Sequence, residues 1–175
     1  MPTYYVMQDQ TINHSGWFVD TLFKQTHAIL ADFGYAANEY GSWIIPLRDD
    51  ATGAVTANAV GVKWRCVRDL EYKYAEGVFD VKIAGAVGKK PKPGTDPKAG
   101  VTAMNGSIAI RFNGLIRTDC KFIWQKSPML KYLLPLREKY FYMERIEKFR
   151  QIMRQDYENI NGAIKKYMNY LPAVA

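Results

Sequence analysis

From Tyr142 onward, Tyr142, Ile146, Phe149, Met153, Tyr157, Ile160, Ile164, Tyr167 and Leu171 advance by threes and fours without a gap. Apolar side chains at that spacing form one stripe of an α-helix, and such a stripe needs a surface to cover it. The spacing predicts a long helix over 136–171, with Pro135 breaking or beginning it. At 1.5 Å per residue this is a rod of roughly 50 Å, longer than the globule that the other elements suggest. Part of the rod is therefore expected to project, leaving room for self-association through the C-terminal helix. Alternatively, Arg145, Lys148, Arg150, Arg154, Lys165 and Lys166 would offer a basic side to phosphates.

The rest of the chain reads as one N-terminal helix and a set of strands. Phe18, Val19, Leu22, Phe23, Ile29, Leu30 and Phe33 recur at helical spacing between Ser15, an N-cap residue type, and Gly34, a helix stop. Before them, Thr3 to Met7 is short and β-prone, an edge strand or an ordered arm. Ser42 to Leu47 reads as a strand, in which Pro46 suggests an edge or a bend. Val60, Val62, Trp64 and Cys66 alternate with Gly61, Lys63 and Arg65, and Phe79, Val81 and Ile83 alternate with Asp80 and Lys82. That period of two marks half-buried strands, joined by a hairpin through Asp69 to Gly77.

A second hairpin is expected around Asn113-Gly114. A two-residue turn there would put Arg117, Asp119 and Lys121 on the face of Ile110, in conflict with burial. A three-residue loop over 112–114, with Gly114 left-handed in a bulge, pairs Ile110 with Ile116 and gathers the apolar residues. Between the hairpins, 88–100 holds three prolines, three glycines and four lysines, and is expected to be a flexible basic loop. The whole reads as a single α+β domain over 1–175: an N-terminal helix, an antiparallel sheet of about five strands built from hairpins, and the long C-terminal amphipathic helix.

Hydrophobic residues make up 48% of the chain, which argues for a real core rather than a disordered chain. No signal-like start and no 18-residue apolar run are present, so a cytoplasmic protein with no membrane partner is expected. Cys66 and Cys120 sit in apolar runs away from any CxxC pair or histidine, as reduced core residues would. The 24 Lys and Arg against 17 Asp and Glu, with a pI near 9.3, favour a polyanionic partner.

The strand periodicity also sorts the charges. Lys63, Arg65, Lys82, Arg111, Arg117 and Lys121 fall opposite the apolar side of the sheet, flanked by the Tyr72 and Tyr74 hairpin tip and by Lys89, Lys90, Lys92 and Lys98. Cations neutralise phosphates and aromatic rings stack on unpaired bases. The pattern points to a non-enzymatic, sequence-tolerant binder of nucleic acid, single-stranded DNA or RNA, acting as an oligomer. The plainer reading is that these residues only solvate an exposed sheet face. One alternative is a structural or assembly subunit of a virus or mobile element. Another follows from Asp69 and Asp80-Val81-Lys82, which resemble the PD-(D/E)xK nuclease arrangement, in which two carboxylates hold a metal and the lysine aids water attack. Arg68 stands where that pattern often has proline. His14 and His27 lack partners at metal-ligand spacing, and neither GxGxxG nor GxxxxGK occurs. No cofactor, resident metal or catalytic set is expected outside the nuclease reading.

Overall fold

Alternating inward apolar and outward polar residues assemble five long strands into one antiparallel sheet. The computed structural model describes residues 2–16, 19–48, 52–71, 74–91, 104–119 and 126–170. The strands are β1 (Thr3–Gly16), β2 (Ala36–Arg48), β3 (Val55–Glu71), β4 (Ala75–Pro91) and β5 (Met104–Thr118). Their order is β1-β5-β4-β3-β2, every neighbouring pair antiparallel. Strands β2 to β5 form a meander, and β1 closes on β5. The two edges, β1 and β2, thus run in the same direction. Helix α1 (Val19–Asp32) connects them and carries the chain back across the width of the sheet.

The chain opens on a strand and not on a helix, which corrects the expected element order. The Thr3–Met7 run continues to Gly16 as an edge strand. Its second half was illegible because Gln8, Asp9, Gln10, Thr11, Asn13 and Ser15 are all exposed, and an edge strand tolerates such residues on its open side. Asp9, at φ 50, sits within a bulge between Met7 and Gln10, and its backbone amide donates to Asn113 Oδ1 at 2.7 Å. A bulge on one edge and Pro46 on the other blunt both edges against stray pairing.

The expected hairpin at 112–114 is also corrected. Strand β5 runs straight through Asn113-Gly114, and Gly114 is absent from the positive-φ glycines among the described residues. Ile108, Ile110, Phe112, Gly114, Ile116 and Thr118 keep a single parity. The apolar alternation therefore needs no turn, and the register conflict came from inserting one. A Cβ on Gly114 would come within 2.9 Å of Met7 and 3.0 Å of Phe79, so the glycine serves close packing between strands. Strand β4 likewise reaches Pro91, which pairs with Met104, so 88–91 are strand and not loop. Residues 92–100 of the expected loop, with Cys120, Phe122 and Trp124, lie outside the described residues.

The helical segment begins eight residues earlier than the expected 136 boundary: α2 (Pro128–Arg137), a π turn (Glu138–Tyr142) and α3 (Met143–Tyr170) follow without a break. Pro135 lies inside α2. Proline lacks an amide for the helix ladder, and the π turn three residues on is an irregularity of the kind associated with such sites. Of the α3 stripe, Ile146, Met153, Ile160 and Ile164 are fully buried and Met168 nearly so. Met153, Ile160, Ile164 and Met168 join one core with Trp64, Cys66, Phe79, Ile83 and Phe112 of the sheet and Leu22 and Leu30 of α1. The α3 part of the expected rod lies on the sheet, and α2 with the π turn extends the continuous helical segment by fifteen residues. Twenty-eight residues make about 42 Å of helix, while strands of 14 to 17 residues reach about 50 Å. The sheet is long enough to cover the stripe. None of the described helices is long and apolar enough to cross a membrane.

Two buried carboxylates tie this helical segment to the sheet. Asp156 accepts from the Tyr35 hydroxyl at 2.8 Å and from Arg68 Nη1 at 2.6 Å. Glu138 accepts from the Tyr4 hydroxyl at 2.6 Å, from Tyr74 at 3.3 Å and from Thr118 Oγ1. Burial, reinforced by these carboxylates, holds the Tyr4, Tyr35 and Tyr74 hydroxyls well above the ordinary tyrosine range. Burial also pushes the Cys66 thiol up to about 12. Groups whose pKa is raised by folding lose protons more easily once unfolded, so their stabilisation is complete at neutral pH and is lost as pH rises. Chemical denaturation between pH 7 and 12 should show constant stability to about pH 9 and a decline above it. Tyr35→Phe should make that decline shallower. A flat profile to pH 11.5 would contradict the clamp.

Candidate functional site

Helices α1 and α3 both pack on one face of the sheet, and the other face carries the charges. There the pairing places Lys63 opposite Lys82 and Lys82 opposite Arg111. Three cations on three adjacent strands thus form one row at right angles to the chain direction. At a strand spacing of about 4.8 Å, the row spans about 10 Å. Like charges directly opposite one another destabilise a sheet. Among the described residues neither Lys63 nor Lys82 forms an ion pair, and Arg111 has only Asp9, at 3.7 Å with both side chains more than half exposed. The adjacent row is better neutralised, because Arg65 binds Asp80 through two bonds of 2.8 and 3.2 Å.

Aromatic rings border the row along β2. Trp43 pairs with Gly61, and its indole lies flat on that glycine; a Cβ there would run into Cζ2, Cε2 and Cη2 of the ring. The ammonium groups of Lys63 and Lys82 stand 5.8 and 5.7 Å from the indole centroid. Tyr40, in the β2 irregularity between Glu39 and Gly41, is more than half exposed, with the Arg65 guanidinium 5.5 Å from its ring centre. On the far side of the cation row the face is low. Gly61, Ala84 and Ala109 form one lateral line, and Ala59, Ala86 and Ser107 the next.

Of the residues expected at this face, Lys63, Arg65, Lys82, Arg111 and Arg117 all lie on it. Arg117 pairs with Glu76, six residues along β5 from Arg111 and about 20 Å from the row. Lys89 and Lys90 belong to the backbone of β4, while Tyr72, Lys92, Lys98 and Lys121 lie outside the described residues. Tyr74 is corrected: it is buried, packs on Tyr142 at 4.3 Å and bonds Glu138. Its hydroxyl is drawn to the buried carboxylate on the helix side, away from the cation row. Trp43 and Tyr40 were not foreseen. Their sequence context is an ordinary edge strand, and only the β2–β3 register reveals that Trp43 meets a glycine and two lysines.

The nuclease constellation does not assemble. Asp69 pairs with Glu76 and Asp80 with Arg65, four residues apart along the strands, about 13 Å. The Asp80 carboxylate is already engaged by Arg65, and no metal-sized group of three His, Cys, Asp or Glu occurs among the described residues. His27 packs edge-on against Trp64, 5.5 Å between ring centres, beside a shallow groove of about 340 Å³ that also holds Lys24 and Glu39. Cys66 is buried and its thiol is held protonated, so it offers no nucleophile.

No protein-family model matches the chain, and no curated protein or solved structure is significantly similar to it.

The cation row has a consequence for stability. Lys82, between two other cations, should be worth more to a ligand than to the fold. Lys82→Gln should raise the stability of the free protein by a few tenths to about 1 kcal/mol in urea denaturation. Loss of stability would show that the row is not under repulsion.

Proposed function

We propose that the open face of the sheet binds single-stranded nucleic acid without sequence preference, and that the protein works as a non-enzymatic oligomer in the cytoplasm. The observation that carries this reading is the Lys63–Lys82–Arg111 row. A rigid sheet holds three cations opposite one another with little carboxylate compensation, an arrangement that a chain of phosphates relieves. Exposed aromatic rings beside the row supply surfaces on which any base can stack.

Binding should be strongly salt-dependent. Three phosphates neutralised by the row contribute about 2 to the slope of log K against log salt, at about 0.7 each for single strands. Titration of a fluorescent single-stranded oligonucleotide at several salt concentrations should show binding that weakens steeply, and Lys82→Gln should reduce the slope by about 0.7. No binding near 50 mM salt would overturn the reading.

Self-association is supported by exposed apolar surface at two places. Met129, Tyr132, Leu136, Tyr140 and Phe141 are all at least half exposed along α2 and the π turn, around an apolar hollow of about 430 Å³. Ile44, Ile45 and Leu47 are exposed on the β2 edge. Glu138 ties the π turn to the end of the sheet where Tyr4, Tyr74 and Thr118 meet, whereas Ile44 and Ile45 pair with Val60 and Ala59 toward the other end, so the two patches are too far apart to cover each other within one chain. Copies of the chain can, and monomers rarely leave such patches open. The same surface would serve an assembly subunit of a virus or mobile element, the second reading. Sedimentation should show concentration-dependent oligomers that Leu136→Glu dissociates. A wild-type monomer at every concentration would overturn the oligomer.

A further inference from the structure

We infer that Trp43 is the platform on which one unpaired base stacks, with Lys63 and Lys82 as its gatekeepers, so that the bound strand runs across the β-strands. This rests on the nucleic-acid reading above and names the residue that turns a charged face into one selective for single strands.

Three observations converge on Trp43. First, its ring is seated: it lies flat on Gly61, where any side chain would collide with it. The indole is therefore held parallel to the sheet, with one face against the backbone and the other turned outward. Second, both ammonium groups stand over the indole, 5.8 and 5.7 Å from its centroid. Neither lysine has a carboxylate partner among the described residues, so in the free protein each rests on the indole. An exposed cation–π contact is weaker than base–aromatic stacking. Phosphates would draw the two ammonium groups off the ring, and a base would take the vacated surface. The exchange leaves every charge and every ring with a partner.

Third, the surroundings of the ring fix the direction of the strand. The cations run across the sheet from Lys63 to Arg111, and the Gly61, Ala84 and Ala109 line runs parallel to them, one lateral row over, about 7 Å away. Phosphates on the first line leave bases over the second, where the Trp43 indole overlies Gly61 and Ala84 and Ala109 beyond it stand no taller than a methyl group. A shallow hollow of about 260 Å³ continues this low ground toward Asn13 and Ser15 on β1. A duplex keeps its base faces stacked inside and can offer this site only its phosphates. Discrimination between single strands and duplex should therefore depend on Trp43, while overall affinity depends on the lysines.

The test compares a labelled oligothymidylate with an abasic oligonucleotide of equal length and with a duplex, by fluorescence anisotropy at one salt concentration. The wild type should prefer the oligothymidylate over the abasic strand by about tenfold. Trp43→Ala should abolish that preference, Trp43→Phe should keep most of it, and Lys82→Gln should weaken both strands while preserving their ratio. Gly61→Ala, which displaces the ring without changing any charge, should reduce the preference like Trp43→Ala. A wild-type ratio near one, or a ratio that survives Trp43→Ala, would overturn the platform while leaving charge-driven binding intact. Failure of the wild type to bind either strand would overturn the nucleic-acid reading itself.

Discussion

A sheet of five long strands with one strongly apolar face requires a cover of comparable length, and α3 is that cover. Its stripe from Met153 to Met168 meets the sheet core along the helix, and α1 fills the remaining ground as it crosses from β1 to β2. Burial of this kind contributes about 25 cal/mol per Å² of apolar surface, so the pairing of sheet and helix dominates the energetics. It also decides what is left over. With both described helices of the core on one side, the opposite face around the cation row is free to hold residues chosen for something other than packing, although Val78 on the same face is buried.

Hydrophobic burial alone does not specify where a helix rests on a sheet, because one apolar stripe can slide on another. The carboxylates of Asp156 and Glu138 limit that freedom. Each is buried and each collects hydroxyl or guanidinium donors from separate strands or turns: Tyr35 and Arg68 for one, Tyr4, Tyr74 and Thr118 for the other. A shifted helix would strand a charge in a low-dielectric core at a cost of a few kcal/mol. These contacts therefore set the register of the helix, and they recruit Tyr74 and Arg68 to the core side.

The outer face follows a different logic. Lys63, Lys82 and Arg111 oppose one another because strand pairing leaves them no choice; the carboxylate of Asp80 is committed to Arg65, and only the exposed Asp9 approaches Arg111. The local repulsion is small against the burial on the other side, so the fold tolerates it. A site held under mild electrostatic tension by a rigid scaffold is ready for an anion without rearrangement. The seat that Gly61 makes for Trp43 belongs to the same design, since it fixes an aromatic plane beside the charges.

Much of this was determined by the sequence itself. Parity along a strand is a local property, so Lys63, Arg65, Lys82, Arg111 and Arg117 could be assigned to the outer face from alternation alone. The long amphipathic helix was equally legible from its spacing. Parity says nothing about turns, however, and the apolar series from Ile108 to Thr118 fits a continuous strand as well as a bulged hairpin. Only pairing with β4 on one side and β1 on the other decided for the strand. The polar half of β1 gave no local signal, because an edge strand takes its order from a neighbour nearly a hundred residues away. Which part of the helical segment is covered was settled only by the sheet, whose strands are long enough for the α3 stripe. Trp43 became a candidate only through the β2–β3 register, which brings it onto Gly61 and beneath two lysines. Periodicity along the chain thus determined which side each residue faces, while contacts between distant strands decided which residues stand next to one another, and a binding site is made of neighbours.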